Sequence, residues 1–201
     1  MPVHILPGES DPSGTILPQQ PFPRAMFGNV ASYETFTCET NPTSLQIVQS
    51  GDSSSIQRTV LVNSGQPLND IYKYFPSPPS TRISLAASTL RWRHIAPTAP
   101  DTLWCHPFYD YDPFILKETP DVYLIGNQPR FRTTMVVADP DERDQGGLKK
   151  RCRVVLVPGF AESGMLVLVN LKTLKVKTRC FAVRGMGEDG QMNGVKKDEE
   201  V

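Results

Sequence analysis

The side chains able to do chemistry in this sequence are few, and their spacing is the first evidence about what it does. There are three histidines and four cysteines. His4 falls inside a short apolar run, where a strand position explains it. His94 falls at the C-terminal end of an amphipathic segment, where a positive or donor group suits the helix dipole. His106 lies in an aromatic-rich stretch and has no partner at ligand spacing. Cys38, Cys105, Cys152 and Cys180 are scattered and form no C-x-x-C pair, which predicts reduced thiols of an intracellular chain and no structural zinc. Asp11, Asp101, Asp110 and Asp112 have the oxygens a hard metal would take, but loop aspartates are also common turn formers. The sequence has no G-x-S-x-G, no H-E-x-x-H and no glycine-rich phosphate cradle. Single residues therefore assemble no enzyme.

The 201 residues suffice for one ordinary domain with a hydrophobic core. Lys+Arg and Asp+Glu both total 21, so the chain has no net charge with which to grip nucleic acid by bulk electrostatics. No apolar run approaches the ~20 residues of a membrane span, and the N-terminus has no signal-peptide layout. The 19 prolines cluster between the apolar runs and predict a loop-rich chain.

The elements that must position these groups read as strand-dominated α/β. Strands are predicted at Val3–Leu6, Tyr33–Cys38 and Thr59–Val62, and a short helix over Asn69–Tyr74. Ser80 or Thr81 caps a second helix, whose stripe Ile83, Ala86, Ala87 and Leu90 recurs at helical spacing. That helix must end before Ile95-Ala-Pro97, because proline lacks the amide and disfavours helix in the residue before it. The following irregular stretch groups Trp104, Phe108, Tyr109, Tyr111 and Phe114, which must pack down or meet a partner. Further strands are predicted at Asp121–Ile125, Thr134–Ala138 and Val154–Val157. A hairpin follows, with arms Met165–Leu171 and Leu174–Phe181 about Lys172-Thr173. Residues 185–201 turn to Gly, Glu, Asp and Lys, as expected of a disordered tail.

Taken together, the blocks PGESDP, LPQQPF, SGQPLNDIYKY, WRHIAPTAPDTLWCHPFYDYDPFIL and PDVYLIGNQPRF resemble the B (small) subunits of eukaryotic replicative DNA polymerases. The likeness is collinear from about residue 4 to residue 182, and RHIAPTAPDTL followed by the PFY and DPF blocks points to the delta branch. The resemblance implies a partial calcineurin-like metallophosphoesterase domain over residues 1–184, a β-sandwich flanked by helices and catalytically degenerate. Where active relatives have P-G-N-H-D, this chain has Pro7-Gly-Glu-Ser-Asp11, with Glu9 and Ser10 in the asparagine and histidine places and Asp11 kept. Where they have H-G-x-S-x-D-D, it has Ser64-Gly-Gln-Pro-Leu-Asn-Asp70. Where they have G-H-x-H, it has Gly126-Asn-Gln-Pro129, so that Asn127 and Pro129 replace imidazoles.

A two-metal centre needs imidazoles and carboxylates to hold its cations and lower the pKa of a bridging water. Serine, asparagine and proline do not supply that. On this resemblance the chain has no catalytic residue, metal or cofactor. It implies a nuclear accessory subunit that docks the cysteine-rich C-terminal module of the delta catalytic subunit and holds a third, sliding-clamp-binding subunit. The clamp would then be reached indirectly, and DNA only indirectly or weakly. Trp104, Phe108, Tyr109 and Phe114 are the expected partner-facing residues, with capping of the sheet as the alternative role. The rival readings are a phosphoesterase with atypical ligands and a single-strand binder. The family's first two metal motifs and its OB fold would precede Met1, so the sequence reads as the C-terminal part of a longer subunit, with exposed apolar sheet edges.

Overall fold

A computed structural model describes residues 1–49, 56–138 and 149–181. The chain opens on β1 (Val3–Ile5), passes through an irregular stretch and a 3-10 helix (Arg24–Ser32), and enters β2 (Phe36–Cys38). These two short strands pair in parallel, with Val3 opposite Phe36. The predicted strand at Tyr33–Cys38 is only its second half, because Tyr33 terminates the 3-10 helix by donating its N–H to the Val30 carbonyl at 3.2 Å.

The centre of the molecule is a five-stranded mixed sheet in the order β3-β4-β5-β7-β6. Its strands are β3 (Thr43–Gln49), β4 (Ile56–Asn63), β5 (Val122–Gln128), β6 (Arg132–Val137) and β7 (Arg151–Pro158). The two edge strands run antiparallel to their neighbours, and the three central strands run parallel. β3 has no counterpart in the sequence reading: the run Thr43-Ser-Leu-Gln-Ile-Val-Gln49 mixes polar and apolar residues without clean alternation. Its edge position, with Ile47 and Val48 exposed, explains why.

A parallel pair needs a crossover, and between β4 and β5 the chain supplies helices α1 (Gln66–Tyr72) and α2 (Arg82–Arg91). Helix α1 starts three residues earlier than its apolar pattern suggests, because Pro67 fits the first helical turn, where its missing amide costs nothing. Thr81 caps α2 through a reciprocal box with Ser84. Leu85, Ala86, Ala87 and Leu90 bury one side of α2 against Leu61, Tyr123, Ile125, Val154 and Leu156 of the sheet.

The opposite sheet face has a smaller core of Val60, Val122 and Leu174. It is covered by the antiparallel hairpin of β8 (Met165–Val169) and β9 (Val176–Cys180), which follows the single turn α3 (Phe160–Ser163). In β9 Val176 is buried while Lys177 and Arg179 face outward, as its alternation predicts. The turn is wider than the expected Lys172-Thr173: Val169 pairs with Val176, and Leu174, expected in the second arm, lies in the turn at φ 58°. Two arginines tie the hairpin turn to the sheet. Arg58 Nε donates to the Leu171 carbonyl at 2.9 Å, and Arg153 Nε donates to the Leu174 carbonyl at 2.8 Å. Arg58 is itself neutralised by Asp121 at 2.9 Å. The predicted tail at 185–201 lies outside the described residues. The observed fold is thus strand-dominated α/β. All four cysteines are free, and burial raises the Cys152 thiol far above its ordinary pKa.

Candidate functional site

Strands β4 and β5 are parallel and in register from Val60 opposite Val122 to Asn63 opposite Ile125, so their C-terminal ends deliver Ser64 and Gly126 side by side. The approach is close. A Cβ on Gly65 would lie 2.3 Å from the Gly126 carbonyl oxygen, and Gly65 has φ +101°, so no other residue fits without distortion. The loop after β1 reaches the same place. A Cβ on Gly8 would lie 3.3 Å from Asn127 Nδ2, 3.3 Å from Asp11 Oδ2 and 4.0 Å from Ser64 Cβ. Ser64 Oγ donates a short hydrogen bond to the Pro7 carbonyl. Three segments far apart in sequence therefore meet, and they bring Asp11, Ser64 and Asn127 together.

Not every predicted position takes part. Glu9 and Ser10 sit on the exposed turn, and Pro129 is exposed just beyond the end of β5. The GNQP segment is also not a simple turn after a strand. β5 continues to Gln128, which pairs with Pro158, and the register shifts between Ile125 and Gln128. Asn127 occupies that irregularity at φ 50°, a left-handed conformation asparagine tolerates, and its side chain is exposed.

What fills the meeting point is a network of neutral amides. Asn41 and Gln19 are fully buried, and their backbones exchange hydrogen bonds at 2.7 and 3.1 Å. Asn41 Nδ2 donates to Gln19 Oε1 at 2.6 Å and to Gln66 Oε1 at 3.0 Å, and Gln66 Nε2 donates to Gln19 Oε1 at 2.9 Å. Gln19 Nε2 donates to the carbonyls of Gly8 and Gly14 at 3.0 and 2.9 Å. The Ser64 amide donates to Asn41 Oδ1 at 3.0 Å, and the Gly65 amide to Asn63 Oδ1 at 2.9 Å. Asn63 Nδ2 continues to the buried Tyr123 hydroxyl at 2.9 Å, a phenol that burial holds well above its ordinary pKa. On the outer side, Gln128 Nε2 donates to the Gly126 carbonyl at 3.0 Å, and Arg82 Nη1 donates to Asn69 Oδ1 at 2.5 Å and Gln128 Oε1 at 3.3 Å.

Every polar arm of this network is answered within the protein, so the loops are locked without any ion. The donors present do not fit a two-cation centre. They are amides, a hydroxyl and one carboxylate, Asp11, whose Oδ2 already accepts the Gly8 amide at 2.7 Å. Among the described residues, no group of three or more His, Cys, Asp or Glu side chains is placed to hold a metal. Sequence reasoning missed Gln19, Asn41, Asn63, Gln66 and Gln128. Asn63, Gln66 and Gln128 lie inside or beside the quoted motifs and were within reach. Gln19 lies inside the quoted LPQQPF block as well, whereas Asn41 sits beside a proline in irregular chain with no periodic signal.

A neighbouring carboxylate, Asp70, is buried at the end of α1. Burial alone would raise its pKa, but the Thr102 hydroxyl and the Lys73 ammonium outweigh that and hold it below the usual carboxylate value. Thr102 Oγ1 donates at 2.7 Å and Lys73 Nζ at 3.2 Å.

Two of the three histidines take structural places. His4 Nδ1, on β1, lies 2.8 Å from Glu39 Oε1, just past the end of its partner strand β2. His94 lies past the end of α2, and its Nδ1 accepts the Ala96 amide at 3.2 Å. That puts the ring proton on Nε2, 2.8 Å from Asp112 Oδ2.

The aromatic stretch divides. Phe114 is 2% exposed and belongs to the main core, which corrects its expected place on a partner-facing surface. Trp104 is 70% exposed and Tyr109 100%, and Phe108 and Tyr111 are also exposed. Trp104 therefore does not cap the sheet, although the chain beside it is fixed. Leu17 N–H donates to the Trp104 carbonyl at 2.9 Å, and His106 N–H to the Leu17 carbonyl at 2.8 Å.

Comparison with known proteins supplies the family. Residues 1–133 match the family described as the DNA polymerase alpha/epsilon B subunit. The chain is 38% identical over 182 residues to the DNA polymerase delta small subunit of rice, with 90% of this chain and 38% of that protein covered. It is 37% identical over 198 residues to the DNA polymerase delta small subunit of Saccharomyces cerevisiae, covering 88% of this chain and 38% of that one. It is 38% identical over 187 residues to DNA polymerase delta subunit 2 of Drosophila melanogaster, covering 91% and 38%. The chain thus spans little more than a third of the length of these relatives. A match over residues 1–133 of 201 is too long to come from one shared motif, and the chain belongs to the DNA polymerase alpha/epsilon B-subunit family.

Proposed function

We propose that this chain forms part of a non-catalytic accessory subunit of a replicative DNA polymerase of the delta type, acting in the nucleus. The observation that carries the reading is the identity of 37–38% to delta small subunits over about nine tenths of the chain. The non-catalytic half is supported by the amides that occupy the meeting point of the three loops. On this reading the five-stranded sheet and its helices are a phosphoesterase-type scaffold, and its strand ends and glycines persist because the loops still have to turn and pass closely.

The subunit would join the cysteine-rich C-terminal module of the delta catalytic subunit to the third subunit, with the sliding clamp and DNA reached through them. Trp104, Phe108 and Tyr109 are the residues assigned to a partner surface, because exposed aromatic groups anchor interfaces. Co-expression with the catalytic subunit's C-terminal module tests the assignment. Co-purification is expected, and Trp104→Ala is expected to weaken it without unfolding the chain. A folded chain that ignores the module rejects the reading. Stoichiometric bound metal, with phosphodiester hydrolysis abolished by Asp11→Ala, would instead establish a phosphoesterase with atypical ligands.

A further inference from the structure

The exposed loop from Asp101 to Asp112 combines two features that together specify the charge of what it binds. Tyr109 is fully exposed, and Tyr111 and Trp104 are 63% and 70% exposed. Three rings of the loop are in contact: Phe108 and Tyr111 have centroids 5.1 Å apart, and His106 stands edge-on to Phe108 at 6.5 Å. Between residues 98 and 116 the chain has three aspartates, Asp101, Asp110 and Asp112, and neither lysine nor arginine. In a chain of zero net charge this stretch is acidic in sequence, with Asp112 engaged by His94 and Asp110 lying between the two exposed tyrosines.

The loop is also held in place before any ligand arrives. Its start is bonded to Leu17, which is buried in the core, and its end is fixed by the His94–Asp112 contact at 2.8 Å. Asp112 Oδ1 further accepts the Phe114 amide at 2.8 Å, next to the core position of that ring. A surface ordered in the free protein loses less entropy on binding than a flexible one.

From this we infer that the loop docks a cationic polypeptide segment, rich in lysine or arginine, whose charges lie over the tyrosine and tryptophan faces and against Asp101 and Asp110. Aromatic faces are negative at their centres and attract ammonium and guanidinium groups, and adjacent carboxylates add to that attraction. The same carboxylates repel phosphate, so nucleic acid is not the occupant even though the rings could stack on bases. The inference rests on the proposed partner-facing role of this loop and adds the chemistry of the partner to it.

The test titrates the full 201-residue chain with fluorescein-labelled octalysine, octaglutamate and an oligothymidylate, followed by fluorescence anisotropy at low and at physiological salt. Octalysine is expected to bind, with an affinity that falls as salt rises. Tyr109→Leu, which keeps apolar bulk but removes the ring, and Asp110→Asn are each expected to weaken it by about 2- to 5-fold. Tyr109→Phe retains the ring face and should bind like the parent chain. Glu162→Gln removes an exposed carboxylate elsewhere and should do the same. Equal binding by the parent, Tyr109→Leu and Asp110→Asn overturns the proposal, as does an oligothymidylate affinity that Tyr109→Leu abolishes. If Trp104→Ala breaks co-purification with the catalytic module while the octalysine experiment fails, the loop remains partner-facing and only its cationic specificity is lost.

Discussion

The loops that meet at the ends of β4 and β5 and the loop from residue 101 to 112 are both irregular chain pinned to the same core, yet they differ in what they offer a ligand. At the first, Gln19, Asn41, Asn63 and Gln66 donate and accept among themselves and with the loop backbone. An approaching ion or phosphate would have to break bonds already made in a buried site, which is costly. At the second, the backbone is anchored at Leu17 and, through Asp112, at Phe114, while Trp104, Phe108, Tyr109, Tyr111 and Asp110 are exposed. Buried polar order closes one surface, and exposed aromatic order leaves the other available. Backbone geometry is therefore a poor guide to function unless the chemistry at that geometry is also present.

The contrast can be broken at several levels. The largest effect is expected from Gly65→Ala, which places a methyl 2.3 Å from the Gly126 carbonyl oxygen at a positive φ. A loss of about 4 kcal/mol or more, or failure to fold, should appear in urea unfolding. Next, Asn41→Ala removes a side chain that answers the Ser64 amide, Gln19 and Gln66 at once. It should cost about 2–4 kcal/mol, since buried partners are left unpaired. A loss of under about 0.5 kcal/mol would mean that the network is not what closes the site.

Asp70→Asn should cost about 1–2 kcal/mol at neutral pH and also change the pH dependence. Because the folded-state pKa of Asp70 is lowered, its stabilisation is present above the unfolded carboxylate pKa and lost as pH falls through the folded value. The parent chain should lose stability on acidification below about pH 4, and Asp70→Asn should lose less over the same range. The smallest effect on stability belongs to Tyr109→Ala, within about 0.5 kcal/mol, because that ring is wholly exposed. Its consequence should appear in binding alone. A large loss of stability there would show that the aromatic loop supports the fold and is not a free surface.

Some elements were legible in the residues. The stripe Ile83, Ala86, Ala87 and Leu90 with Thr81 as cap specified α2, and the alternation of Val176 and Thr178 against Lys177 and Arg179 specified the face of β9, although Leu174 fell in the turn. Both rest on local periodicity, which burial of one face imposes on sequence. The edge strand β3 was not legible, because a strand half open to water need not alternate cleanly. Phe114 was grouped with its exposed neighbours, since an irregular segment has no period to say which ring turns inward.

The sequence alone carried the resemblance, which implies that imidazoles are missing from four positions in three motifs, at Ser10, Ser64, Asn127 and Pro129. Only the tertiary structure decided what stands there instead. Gln19 and Asn41 lie 22 residues apart, and Gln66 is 25 beyond Asn41, so no local pattern links them. They meet because the parallel pairing of β4 with β5 and the close passage of Gly65 by Gly126 bring three loop ends to one point, and buried amides must find partners there. The composition of the 101–112 loop was equally plain in the sequence. That its rings face water while its backbone is tied to Leu17 is a consequence of packing, which selects one aromatic for the core and leaves the rest outside.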